Sequence, residues 1–346
     1  MGAYCIVCAL FLGDMDMKIV KNAYFDQFQC IANHCPDSCC KEWDVAVDAE
    51  SAALYRSLPG KLGDRLRQVL TDEDGQTYMT IQEGRCPMWR QDGLCRIQAE
   101  LGHEALCKTC RDFPRLTHDY GDFVEYTLEL SCPEVARVIL NNPHLHPVIT
   151  SVPGGDEPEY DREAMGILLR TREEMYRMLS TPLPIGEALA LGLLYAYHAQ
   201  AELDGLDAPD FQAETALETA RTMGKPGDIA QIIAFYQGLE ILTDQWRSRL
   251  AAPSPSLWSE PLRQLAIYGV ERYWLQAVSD YDLAGRMKMV ILSCLLVKNL
   301  GGDPVQTAQI YSKEIENSTD NIDAILDAAY GNPAFTDDKL LWLLCR

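Results

Sequence analysis

The stretch Cys30-Ile-Ala-Asn-His-Cys35-Pro-Asp-Ser-Cys39-Cys40-Lys-Glu-Trp43 places four thiols in eleven residues, in the spacing C-x4-C-x3-C-C. Pro36, Asp37 and Ser38 between the thiols are turn chemistry rather than the interior of a helix or strand. The stretch therefore predicts a loop organised by whatever sulfur binds, and it sets the expectation for the N-terminal third. A second group follows as Cys86-Pro, then Asp92-Gly-Leu-Cys95, then Cys107-Lys-Thr-Cys110-Arg-Asp-Phe-Pro-Arg115, with Cys132 beyond it. Cys107 and Cys110 form the tightest chelating unit in the chain, because C-x2-C lets two thiolates face one metal across a turn.

Of 13 cysteines in 346 residues, all but Cys294 and Cys345 fall before residue 133. Cysteine used only as a small core hydrophobe would be scattered, whereas a metal or disulfide framework concentrates it. Cys5 and Cys8 carry little weight, since Met15 or Met17 is an equally good natural start. The nine metal-ligand candidates are Cys30, Cys35, Cys39, Cys40, Cys86, Cys95, Cys107, Cys110 and Cys132.

Thiolate sets suit zinc, copper(I) or iron–sulfur clusters. Structural zinc usually shows two C-x2-C pairs close together. One such pair plus singletons spread over about a hundred residues favours a cluster. Nine thiols exceed the four that one cubane needs, so the others are structural, neighbours of the centre, or ligands of a second site. His34, His103 and His118 read as loop residues or hydrogen-bond partners. Arg96, Arg111 and Arg115 either offset thiolate charge or pair with Asp92, Glu104 and Asp112.

Composition narrows the class further. A formal charge of −21 and the lack of a basic stripe interleaved with aromatics argue against nucleic acid. Met1 to Gly13 is apolar, but no Lys or Arg precedes it, and Asp14 and Asp16 follow, so no working signal peptide is expected. Met289 to Val297 is closed by Lys288 and Lys298, and Ala188 to Ala201 contains His198 and Gln200. Both read as buried helices of a cytoplasmic protein with no membrane partner.

Residues 18–150 look irregular, with turns such as Thr71-Asp-Glu-Asp-Gly75. The polar Pro/Gly segment 151–161 separates them from a helical region. There, apolar residues recur at three- and four-residue spacing in 162–179, 185–203, 228–250, 257–278, 284–300 and 304–317. The expected fold is mainly α: an irregular cysteine-rich metal-binding domain over 1–150 and a helical bundle over 151–346.

Familiar catalytic signatures are missing. A radical S-adenosylmethionine site would read C-x3-C-x2-C, yet Glu42 stands where the third cysteine is required. Gly154-Gly155 and Gly301-Gly302 lack the strand–turn–helix context of a Rossmann methyltransferase. No G-x-S-x-G elbow or Cys/His pair supports hydrolysis.

Taken in order, C-x4-C-x3-C-C-x2-W, Cys86-Pro, Gly93-Leu-Cys95-Arg-Ile-Gln-x-Glu-Leu-Gly102, Thr109-Cys110-Arg-Asp-Phe-Pro-Arg115 and Leu130-Ser-Cys132-Pro-Glu134 resemble the flagellin lysine N-methylase family. That family lies within a wider group of cysteine-rich zinc- or iron-chelating proteins. The resemblance implies an S-adenosyl-L-methionine-dependent enzyme that methylates lysine ε-amino groups, with flagellin as partner and a [4Fe-4S] cluster as cofactor. Zinc is the alternative metal. Transfer to an amine needs a neutral lysine, and Asp119, Tyr120, Asp122, Glu125 and Tyr126 lie in a suitable stretch, although a strand and loop of ordinary solvated acids describes them equally. A non-enzymatic chelating module, an iron–sulfur redox protein and a methylase of another peptide remain the rival readings.

Overall fold

The computed structural model describes residues 16–346; the leader question and Cys5 and Cys8 lie outside them. The protein is mainly α, as expected, but residues 16–152 are more regular than their composition suggested. They carry seven strands in two sheets.

The smaller sheet has the order β2 (Val45–Val47), β4 (Gln76–Met79), β3 (Leu70–Glu73). Strands β3 and β4 are joined by Asp74-Gly75, both at positive φ (49° and 82°). That is the two-residue hairpin turn whose twist matches its strands, and it selects an Asp-Gly pair. Helices α1 (Ala49–Ser57) and α2 (Gly60–Val69) pack beside this sheet. Val45, Val47, Tyr55, Leu66, Met79, Met88 and Ile97 make its core together with Cys86 and Cys107.

The larger sheet runs β5 (Arg115–Asp119), β6 (Phe123–Leu128), β1 (Met17–Lys21), β7 (Val148–Val152). Strand β1 pairs parallel with β6, Ile19 facing Val124, and antiparallel with β7, Ile19 facing Thr150. Periodicity could not reveal a pairing across about a hundred residues, because a five-residue strand has no partner in its own neighbourhood.

The helices confirm some windows and divide others. α6 (Arg162–Leu179) and α7 (Ile185–Leu203) match expectation. Asp161 caps α6 by accepting from the backbone N–H of Glu163 and Ala164. The 228–250 window splits into α9 (Ile229–Gln237) and α10 (Asp244–Ala251). Between them the Glu240 N–H donates to Asn321 and the Leu242 N–H to Glu314, tertiary acceptors that replace the helical ladder. The 257–278 window becomes α11 (Glu260–Tyr273) and a 3-10 turn, and α12 spans Leu283–Leu300. The last window is α13 (Pro304–Tyr311) followed by a π-turn, Ser312–Glu316. α5 (Pro133–Leu140), α8 (Ala213–Met223), α14 (Thr319–Gly331) and α15 (Asp337–Leu344) complete the set with the short α3 (Arg96–Leu101) and α4 (Lys108–Asp112).

Central helix α12 is buried on nearly every side, which is why its sequence shows no polar face. Each fully buried leucine on it contributes about 1.5–3 kcal/mol. Residues of β1, β6 and α5 share one core with all the long helices, from Val20 to Leu344. The packing forms two cores, one for roughly residues 45–107 and one that runs from Val20 to Leu344.

Candidate functional site

The smaller core gathers five of the nine candidate thiols. Cys86 and Cys107 are buried in it, and Cys40, Cys95 and Cys110 pack against it. Cys39 adjoins Cys40 with its thiol facing the same group. The Cys86 N–H donates to the Cys40 carbonyl at 2.7 Å, tying the first cysteine loop to the second group. Cys95 and Cys107 are the N-cap residues of α3 and α4, where backbone N–H groups favour a thiolate, although burial outweighs them at Cys95 and raises its thiol.

Asp48 sets the position of the C-x2-C turn. It caps α1 through Ser51 N–H and accepts from Lys108 N–H at 2.7 Å. The Lys108 bond is the main cause that holds its carboxyl down at about 2. Thr109 Oγ1 donates to the Ala46 carbonyl and Tyr55 Oη to the Ala105 carbonyl, so this turn is pinned on both sides.

The thiols perturb one another. Interaction with Cys40 and then burial raise the Cys39 thiol well above its usual range. Cys39 favours the Cys40 thiolate, but Cys86 and burial outweigh it and push Cys40 up to about 12. Interaction with Cys40 lowers Cys86, and interaction with Cys110 lowers Cys107 while Cys110 is raised. All eleven described cysteines are free thiols. Among the described residues, no three His, Cys, Asp or Glu side chains converge on one point as closed metal ligands do. Five thiols in and against one core, two of them with lowered pKa, and Cys39 beside Cys40 nevertheless form a donor set that suits a thiophilic metal or cluster.

The other three candidates lie outside that core, with Cys35 still a neighbour of Cys39. Cys30, Cys35 and Cys132 are electrostatic neighbours of one another. Burial raises Cys35, and raises Cys132 to about 12. Cys132 is the N-cap of α5. Ile31, Pro36 and Pro133, the residues that follow this trio in sequence, line a cleft of about 700 Å³ together with Asp37 and Glu42 from the cysteine loop, Glu134 from α5, and Thr243, Gln309 and Lys313 from the helical body. Its volume is that of a small-molecule site. Five carboxylates line it against three cations. Burial would raise Asp37, but Lys313 more than offsets that and holds the carboxyl below the usual range.

Several sequence readings change here. Arg96 pairs with Glu100 at 3.1 Å and Arg111 with Asp112 at 3.9 Å, while Arg115 lies over the rings of Phe25 and Phe28, 5.5 Å and 5.2 Å from their centroids. Glu125 is not a solvated acid. It is buried and forms a two-pronged ion pair with Arg172 at 2.7 Å and 3.1 Å. Nothing in local sequence marks that pair, whose members lie 47 positions apart.

Glu271 joins the same polar interior. Although its residue keeps some exposed surface, its carboxyl is enclosed and accepts from Asn22 Nδ2 at 2.8 Å and 2.9 Å. Burial, opposed by Asn22 and reinforced by Glu125, raises it from 4.5 to about 7. The folded state therefore holds a proton that the unfolded chain releases, so this contribution to stability is present below pH 4.5 and is lost as pH rises through about 7. The loss is at most about 3 kcal/mol. Glu271→Gln is expected to be more stable than the parent at pH 8 and little changed at pH 4.5, as read by urea unfolding. An equal offset at both pH values would count against a raised carboxyl.

No protein-family profile matches the chain. No solved structure matches it. Over 135 aligned residues, 37% of the chain, it is 33% identical to the flagellar biosynthetic protein FliU of Salmonella muenchen, and the match covers 80% of that protein. The same identity relates it to the lysine-N-methylases of Salmonella typhimurium and Salmonella choleraesuis, of which the match spans only 34%. With a relative 33% identical to it and matched over 80% of its length, the chain belongs to the flagellin lysine-N-methylase family.

Proposed function

We propose that this protein is a cytoplasmic protein-lysine N-methyltransferase that moves a methyl group from S-adenosyl-L-methionine to lysine ε-amino groups, with flagellin as substrate and a [4Fe-4S] cluster held by thiols of the smaller core. The observation that carries the reading is the cleft of about 700 Å³ beside the thiol assembly, walled by both the cysteine loop and the helical body. The relatives' names, a lysine-N-methylase and a flagellar biosynthetic protein, support lysine methylation as the reaction class and fit a flagellar protein as substrate. Free thiols throughout the described residues suit a reducing compartment. No helix among those residues is long and apolar enough to cross a membrane.

In the transfer, the ε-amine lone pair forms the N–C bond as the donor's S–C bond breaks. The sulfonium leaves as a neutral thioether, and the amine gives up one proton. The acidic lining draws in both cationic reactants, and Asp37, Glu42, Glu134, Asp244 and Asp303 are the carboxylates within the cleft. When bound, the cluster supplies an electrophilic, redox-capable centre. Cys39, Cys40, Cys86, Cys95, Cys107 and Cys110 are the residues that would hold it.

The test is metal and sulfide analysis of anaerobically purified protein, followed by incubation with methyl-labelled S-adenosyl-L-methionine and purified flagellin. Iron and sulfide near four each, with label on lysine, is expected. Zinc without sulfide and no transfer would favour a chelating module instead.

A further inference from the structure

Lys313 is a lysine whose side chain is only 3% exposed. Lysine is almost never buried to that degree unless paired. It lies in the π-turn that follows α13, where the wider turn rotates side chains away from the face a continuing α-helix would give them. From there its Nζ crosses to the C-x3-C-C loop. It stands 3.0 Å from Asp37 Oδ2, 2.5 Å from Glu42 Oε2 and 5.0 Å from the centroid of the Trp43 ring.

Those partners bracket the cysteines. Asp37 lies between Cys35 and Cys39 and also pairs with Lys41 at 3.3 Å, while Glu42 follows Cys40 in left-handed backbone at φ 76°. Gln309, one turn earlier, donates to the Ser131 carbonyl at 2.8 Å beside Cys132 and to Asp37 at 3.5 Å. One ammonium from the helical body thus anchors both ends of the Cys39-Cys40 pair and forms part of the cleft wall.

We propose that Lys313 is a positioning residue for the Cys35–Cys40 loop, holding it against the helical body so that the thiol assembly and the cleft keep one geometry. The role rests on the cleft being the working site, but it does not require the reaction there to be methyl transfer.

The experiment compares the full-length chain with Lys313→Met, Lys313→Arg and the double variant Asp37→Asn/Glu42→Gln. It reads amide exchange of peptides spanning 30–43, metal and sulfide content, and the potential of any centre retained. Lys313→Met is expected to speed exchange in 30–43 by about tenfold while α6 and α12 keep their protection. Metal retention should fall by about threefold, and the potential of retained iron should move negative, because a nearby positive charge is lost. Lys313→Arg is expected to recover most of both changes. Should Lys313→Met fail to fold, the double variant, which removes the partner charges at constant shape, is expected to give the same exchange signature. Parental exchange in 30–43 with parental metal content, in either variant, overturns the proposal. Loop protection lost in a protein that never methylates flagellin leaves the role of Lys313 standing and removes only the methylase reading.

Discussion

With the proposed cluster loaded, Cys110→Ala and Cys39→Ala are each expected to lose it and to unfold the smaller core in the same step, since the binding energy of a thiolate site is largely folding energy. For structural zinc that energy is on the order of 10 kcal/mol at neutral pH. The core that depends on it is small, a three-stranded sheet and two helices around Val45, Val47, Tyr55, Leu66 and Met79. Few apolar residues remain to hold it once the thiols are uncoordinated. In metal-free protein the same substitutions should cost only about 1–2 kcal/mol, the loss of one small side chain. Metal analysis and thermal unfolding of loaded and stripped protein separate the two regimes. A variant with full metal content and an unchanged melting temperature would remove that cysteine from the donor set.

Arg172→Met is expected to destabilise the larger core by about 3–5 kcal/mol, because it leaves Glu125 buried and charged with no counter-ion. Glu271, already raised by burial and by Glu125, faces the same loss of positive charge. Adding Glu125→Gln to Arg172→Met should recover part of the loss, since a neutral pair of similar volume no longer carries an unpaired charge in the interior. Urea unfolding of the two single variants and the double gives the coupling. Additive losses would show that the pair does not act as a unit.

The acidic patch after the second cysteine group illustrates how far local reading reaches. Alternation in Phe123-Val-Glu-Tyr-Thr-Leu128 fits a strand, and the structure makes it β6. Whether Glu125 is solvated depends on what covers that face. The cover is α6, arriving from residues 162–179 with Arg172 on its inner side. The 304–317 window behaves likewise. Its spacing gives helix, but the π-turn that aims Lys313 at the cysteine loop arises where tertiary partners for Lys313, Glu314 and Glu316 outcompete regular helical bonding.

By itself the sequence determined the chemistry and the building blocks. Thiol spacing marked the N-terminal third as the cysteine-rich part, Thr71-Asp-Glu-Asp-Gly75 marked a turn, and three- and four-residue spacing marked α6 and α7, because each depends on neighbours within a few residues. Only the tertiary structure decided which thiols share a core, which loop residues line the cleft, and that a lysine about 270 positions away pairs with the first cysteine loop. Those outcomes depend on charges and donors brought together by the folding of distant segments, and no local pattern records which acid will meet which base once water is excluded.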